Sequence, residues 1–393
     1  MAQGAPVRRD LGVLYASVLA SRVGFGVIII VFPAYISSSS DIAVAVALAL
    51  YPLAEALAAL PIGQFCDTRG RKVTFVASLG YIAVLMASIG ATRNIYAIAA
   101  IHALMGVGAA GVTVSTLTMV TDLTGESNRG KGMGAFDFSN VGGYAVGLVA
   151  GYYLRAYFAS DLGLAFAATA AVLAAAFGIG LAVLKEPAHL VRSADRSLNP
   201  LRALDARAKS VLPVWLGVTV LLGMVFFLPR AFSGVGIGSG QTAGLLLLGL
   251  AVLGFGAVGW GALSDRIGRG KVLVVGAVGM VGLLASLALS VDGGIDSLAR
   301  SLPLLGVFGI MTAALVPTVL ATAGDRATAD RRGSAMGLYS VMLSGGTAVG
   351  TLVAGFVHRA SGLSGMLEAA TVLFLAACAM SLVLWSRAKA KES

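Results

Sequence analysis

Twelve apolar runs of about twenty residues or more, separated by short polar connectors, constrain this chain more than any other feature of its sequence. No water reaches backbone N–H and C=O groups inside a bilayer, so runs of that length must be helices that satisfy their own hydrogen bonds. Spans of a β-barrel would instead read as strands of about ten alternating residues. Composition agrees, since 58% of the 393 residues are hydrophobic and only 12% charged, against about 25% charged in a soluble domain. The 52 glycines suit helices that approach closely in lipid, where small residues replace the hydrophobic driving force.

The runs predict transmembrane helices near 11–36, 42–66, 73–92, 95–121, 132–157, 162–184, 211–231, 241–264, 272–291, 301–322, 334–357 and 363–385. They form two sets of six. The expected architecture is an all-α membrane protein with one bundle over 1–184 and a second over 211–393. The polar, basic stretch 185–210 between them is a surface linker with room for a short interfacial helix.

The net charge of +10 does not point to nucleic acid. Its basic residues are parcelled into connectors rather than spread over a solvated face. Cys66 and Cys378 are the two cysteines and do not make a disulfide framework. The first run is far longer than a signal h-region, so no cleavable signal is expected. Alternate connectors hold 22 of the 28 Lys and Arg residues, every lysine among them. By the positive-inside rule both termini are expected in the cytoplasm.

The chain is also doubled. Gly63-Gln-Phe-Cys-Asp67-Thr-Arg69-Gly70-Arg71-Lys72 follows the second run, and Gly261-Ala-Leu-Ser-Asp265-Arg266-Ile-Gly268-Arg269-Gly-Lys271 follows the eighth. Asp122 to Gly134 likewise aligns with Asp325 to Gly337, and Leu148-Val-Ala-Gly151 recurs as Leu352-Val-Ala-Gly355. Two parallel six-helix repeats are the sequence signature of a transporter with its site near the midplane.

With these motifs the chain resembles the major facilitator superfamily, over its full length. The family's loop motif is Gly-x-x-x-Asp-Arg-x-Gly-Arg-Lys. The first copy has Thr68 in place of the usual Arg, and the second delays its lysine by one residue. The resemblance implies a cytoplasmic gate of Gly63, Asp67, Gly70, Arg71 and Asp122, echoed by Asp265, Arg266 and Arg269. It further implies that Asp67 caps the helix starting near Ser334 and that Arg71 pairs with Asp122, which would latch the outward-facing state. Charges that merely fix topology are the alternative reading. Gly134, Gly143, Gly147 and Gly151 match the spacing of the family's antiporter motif, although Leu148 and Tyr152 depart from it. A similar ladder at Gly337, Gly346, Gly350 and Gly355 argues equally for helix packing.

Ionisable groups inside spans cost at least about 2.5–3.5 kcal/mol on insertion scales and are functional candidates by default. Arg22 and Glu55 each lie twelve residues from the end markers Asp10 and Asp67, so they belong at similar depth. They are candidates for proton coupling, substrate contact or mutual pairing. His102 stands where the family often has arginine, which opens a pH-responsive role beside that of a packed histidine. Asp137, Asn140 and Tyr144 recur at helical spacing and face inward, with Asp137 divided between cavity and gate. Ser340, Ser344, Thr347 and Thr351 form a neutral stripe in the second half, open to substrate contact or to bonding their own backbone.

No Walker-type loop, metal-ligand cluster or nucleophile–base pair occurs in the sequence, so an enzyme, cofactor or metal is not expected. The expected function is secondary active transport of a small organic solute, coupled to protons, by a monomer in the prokaryotic cytoplasmic membrane. Export of amphipathic compounds is favoured narrowly, because buried charges are few and the antiporter glycines partly match. Proton-coupled uptake of a polar metabolite such as a sugar or organic acid is the alternative. A transporter-like sensor is the remote one.

Overall fold

The computed structural model describes residues 4–36, 39–124, 129–186, 209–325 and 332–390. Within these, the side chains of Asp67, Asp137 and Asp265 are among those not described. The chain divides into two compact units, Met1–Asp195 and Arg196–Ser393. The described residues contain no strand.

The first unit holds α1 (Gly4–Tyr35), α2 (Asp41–Arg69), α3 (Arg71–Gly90), α4 (Ile95–Leu123), α5 (Arg129–Tyr157) and α6 (Gly163–Val183). Polar caps set two of the starts. Ser40 Oγ accepts from the Ala43 amide, and Asn94 Oδ1 accepts from the amides of Tyr96 and Ala97. Each cap satisfies donors that a helix N-terminus leaves without intrahelical partners. Helix α1 packs on α5 and α6, α2 on α4, and α3 on α4 and α6.

The second unit holds α7 (Leu212–Gly234), α8 (Ser239–Ile267), α9 (Arg269–Val291), α10 (Gly294–Thr312), α11 (Leu315–Asp325) and α12 (Arg332–Ala390). Here α7 packs on α12 and α9 on α10. Ten stretches among the described residues are long and apolar enough to cross a membrane.

Two boundaries differ from the sequence expectation. The run 301–322 is not one helix, because α10 ends at Thr312 and α11 begins at Leu315. Pro317 explains the break: it has no N–H to give the Ala313 carbonyl, and its ring crowds that oxygen. The runs 334–357 and 363–385 lie in one continuous stretch, α12, interrupted at Gly362 with φ 69° and ψ −165°. Only glycine reaches that conformation without strain.

Candidate functional site

Glycine positions the polar centre of the first unit. A Cβ at Gly143 would stand 2.6 Å from the Leu19 carbonyl oxygen, and one at Gly147 would overlap the Val23 carbonyl. Backbone therefore meets backbone between α1 and α5, where Gly26 also lies against Gly147. On the other side, a Cβ at Gly106 would overlap the Tyr51 carbonyl, so α4 and α2 are held equally close.

Four helices then converge on Arg22. Its Nε donates to Asn140 Oδ1 at 2.7 Å, and its Nη2 donates to Thr113 Oγ1 at 3.2 Å. Thr113 passes the link on, its hydroxyl donating to Glu55 Oε1 at 3.4 Å. Asn140 Nδ2 donates to the Phe136 carbonyl at 3.1 Å, which fixes the amide with its oxygen toward the arginine. Arg22 and Glu55, matched in depth by the sequence, thus share a network with one threonine hydroxyl between them.

Aromatic rings frame the guanidinium. Arg22 Cζ lies 5.4 Å from the Phe25 ring centroid and 5.8 Å from that of Tyr144. Phe25 in turn meets Tyr51 edge to face at 4.6 Å. Cation–π contacts of this kind contribute about 0.5–2 kcal/mol each, more when desolvated. The Tyr51 side chain is 7% exposed, its hydroxyl lies against the Arg22 guanidinium, and no acceptor for its own O–H is seen among the described residues. A buried donor left in that state costs about 1–3 kcal/mol.

His102 is outside this network. It is 3% exposed, with Nδ1 2.7 Å from the Ala47 carbonyl oxygen. Facing a carbonyl, that nitrogen must carry the proton and donate. The ring lies between Phe32 and Tyr51, each at 5.1 Å. It buttresses the back of Tyr51 rather than contacting Arg22 or Glu55.

In the second unit, Ser344 and Thr347 are buried on α12. Thr347 Oγ1 donates to the Leu343 carbonyl at 2.7 Å, and Thr351 Oγ1 donates to Thr347 and Gly223 carbonyls at 2.9 Å. Gly346 and Gly350 lie against Thr219 and Val220 of α7, as Gly143 and Gly147 lie against α1. Thr351 thus bonds across the α7–α12 contact, whereas the Thr347 hydroxyl bonds its own helix. Ser340 lies outside the described side chains, as do the Asp137 and Asp67 carboxylates and the helix start near Ser334.

At the end of α2 the loop motif makes a tight turn. Gly70 has φ 108° and ψ 152°, and its N–H closes α2 on the Cys66 carbonyl. Arg71, 3% exposed, places Nε 3.0 Å from Asp122 Oδ2 on α4. Gly63 is less constrained, since a Cβ there would meet only Val114 Cγ1 at 3.9 Å. In the second copy Gly268 repeats the turn with φ 95°, Arg269 Nη1 donates to Ser264 Oγ at 2.7 Å, and Arg266 is exposed.

One participant was missed in the sequence. Glu186, just past α6, accepts from the Arg71 amide with Oε1 at 2.6 Å and from the Lys72 amide with Oε2 at 2.9 Å. Lys72 Nζ also donates to the Leu181 carbonyl at 3.0 Å. The position before α3 is glycine, which offers no side-chain acceptor to the helix amides. An acid close by at the end of another run was the available signal.

The sequence model of the Major Facilitator Superfamily matches residues 14–298 and 236–393. The chain is 23% identical over 330 residues to the inner membrane transport protein YajR of Escherichia coli (strain K12), covering 82% of this chain and 71% of that one. Its fold is similar to a bacterial homologue of the human lysosomal transporter Spinster, inward-facing and unoccupied, with TM-score 0.80 and 15% identity over 99% of this chain and 98% of that one. The human organic anion transporter MFSD10 gives TM-score 0.69 and 18% identity, over 96% and 99% of the two chains.

Proposed function

The chain belongs to the major facilitator superfamily of secondary transporters, and from that premise we propose that it carries a small organic solute by alternating access, coupled to protons at Glu55. The observation that supports this is the network from Asn140 through Arg22 and Thr113 to Glu55, drawn from four helices of an apolar bundle. Charges inside spans are retained against a standing insertion cost. A carboxylate one hydroxyl away from a guanidinium has a partner in its charged form and can still exchange a proton. His102, held by Ala47 and two rings, supports that geometry from behind.

On the cytoplasmic side the Arg71–Asp122 pair, the Gly70 turn and Glu186 are read as a latch. One or two charge-assisted contacts of about 1.5–3 kcal/mol each hold a state without trapping it. Both termini are assigned to the cytoplasm of a prokaryotic cell, with the protein acting as a monomer in the cytoplasmic membrane.

Export and uptake both use a titratable Glu55. The glycine ladder that favoured export has another explanation, because Gly143 and Gly147 are needed for the α1–α5 contact and Gly346 and Gly350 for its counterpart. Direction therefore turns on whether the solute competes with the proton or accompanies it.

The test is a thermal-shift screen of purified protein against drugs, sugars, amino acids and organic acids, followed by solute-driven proton flux in proteoliposomes. Wild type is expected to couple the two, whereas Glu55→Gln moves solute without protons or not at all. Equal proton flux in both removes Glu55 from the mechanism. Asp67→Asn is expected to insert normally and lose transport, and unchanged transport would sink the latch.

A further inference from the structure

We propose that Arg22 binds the carboxylate of an organic monoanion with an aromatic or apolar body, and that this anion binds together with a proton on Glu55. The inference rests on the transport function above and names its substrate class.

The geometry of unfilled hydrogen bonds points to an anion. Arg22 spends Nε on Asn140 and Nη2 on Thr113, and its guanidinium also meets the hydroxyls of Tyr144 and Tyr51. The Tyr51 hydroxyl is buried against Arg22, and no acceptor for its own O–H is seen among the described residues. A hydroxyl beside a guanidinium can only accept from it, so each tyrosine keeps its own O–H to donate, and a carboxylate placed there has two oxygens to accept from such donors. Phe25 and Tyr144 flank the guanidinium, which gives a ring or short apolar chain attached to the carboxylate a surface to lie on.

Charge balance then supplies the coupling. Among the described residues of the site Arg22 and Glu55 together are neutral, so an added anion would leave one unbalanced negative charge there. Protonating Glu55 removes it. By linkage, each of anion and proton raises the affinity for the other. A cation would instead displace the proton, and the two would be exchanged. The titratable groups facing Glu55 among the described residues are Arg22 from α1, Tyr51 from α2 and Tyr144 from α5. From α4 comes the hydroxyl of Thr113, while His102 is turned to Ala47.

The experiment is calorimetry on the full chain in detergent, titrated with benzoate, phenylacetate, benzamide and benzylamine in buffers of different ionisation enthalpy. The carboxylates are expected to bind with uptake of up to about one proton each between about pH 5 and 9, and the amide and amine to bind far more weakly. Arg22→Gln should lower carboxylate affinity by at least about tenfold. Glu55→Gln should keep binding but abolish proton uptake, which also shows that the site still folds. Failure of every carboxylate to bind overturns the proposal. So does carboxylate binding without proton uptake at any pH in that range, or benzylamine binding with proton release. If binding and proton uptake hold while no solute crosses proteoliposomes, the transport reading fails and the anion site stands. If another solute class is transported and the carboxylates do not bind, only the anion site falls.

Discussion

Glu186 lies across the first amides of α3, with one carboxylate oxygen 2.6 Å from the Arg71 nitrogen and the other 2.9 Å from the Lys72 nitrogen. This ties the residues just past the end of α6 to the turn that joins α2 and α3. The carboxylate also answers the positive end of the helix dipole. Glu186→Ala is expected to lower stability by about 1 kcal/mol, a typical capping value for a site on the surface. Thermal unfolding in detergent checks this, and a midpoint equal to wild type would refute it.

Gly70 is required twice over. Its φ of 108° excludes side chains, and a Cβ would stand 2.9 Å from Glu186 Oε2. Gly268 has a similar φ of 95° but nothing within 4 Å of an added Cβ. Gly70→Ala should therefore cost more than Gly268→Ala, whose penalty is backbone strain of about 1–3 kcal/mol alone. Adding Glu186→Ala to Gly70→Ala should recover part of the difference. Equal melting temperatures for the two glycine variants would contradict the steric argument.

The Arg71–Asp122 pair is buried on the arginine side. Removing either partner is expected to destabilise the first unit by about 1–3 kcal/mol, below the full cost of breaking a deeply buried pair. Combining Arg71→Met with Asp122→Leu should cost less than the sum of the two. A double-mutant cycle in thermal stability measures the coupling, and strict additivity would show that the pair contributes nothing.

Gly147 and Gly142 sit on the same helix with opposite surroundings. A Cβ at Gly147 overlaps the Val23 carbonyl, whereas one at Gly142 meets nothing within 4 Å. Gly147→Ala is expected to lower the yield of folded protein and its melting temperature, and Gly142→Ala to leave both unchanged. Size-exclusion recovery and thermal unfolding of the pair read this directly.

The apolar runs and the glycine-rich composition were enough to read the helices, because lipid leaves the backbone no other solution. Counting from Asp10 and Asp67 also put Arg22 and Glu55 at one depth. The link between them was not readable, since a threonine such as Thr113 looks the same in sequence whether it bridges two charges or bonds its own helix. Asn140 was found by its spacing, but not its partner, because that depends on how close two helices lie. Glu186 was hidden by its place at the start of a polar, basic stretch of sequence. The break before α11 had its signal in Pro317, passed over within an otherwise continuous run.

The contacts at Gly26 and Gly147, and at Gly106 and Tyr51, leave no side chain between the paired helices that could yield. Each pair behaves as a welded beam: α1 with α5 carries Arg22 and Asn140, and α2 with α4 carries Glu55 and Thr113. The hydrogen bond from Arg22 to Thr113, the edge-to-face contact of Phe25 with Tyr51 and the Phe32–His102 contact lie along the seam between the beams. A change of charge at Arg22 or Glu55 acts directly on that seam, because the single hydroxyl of Thr113 touches both groups.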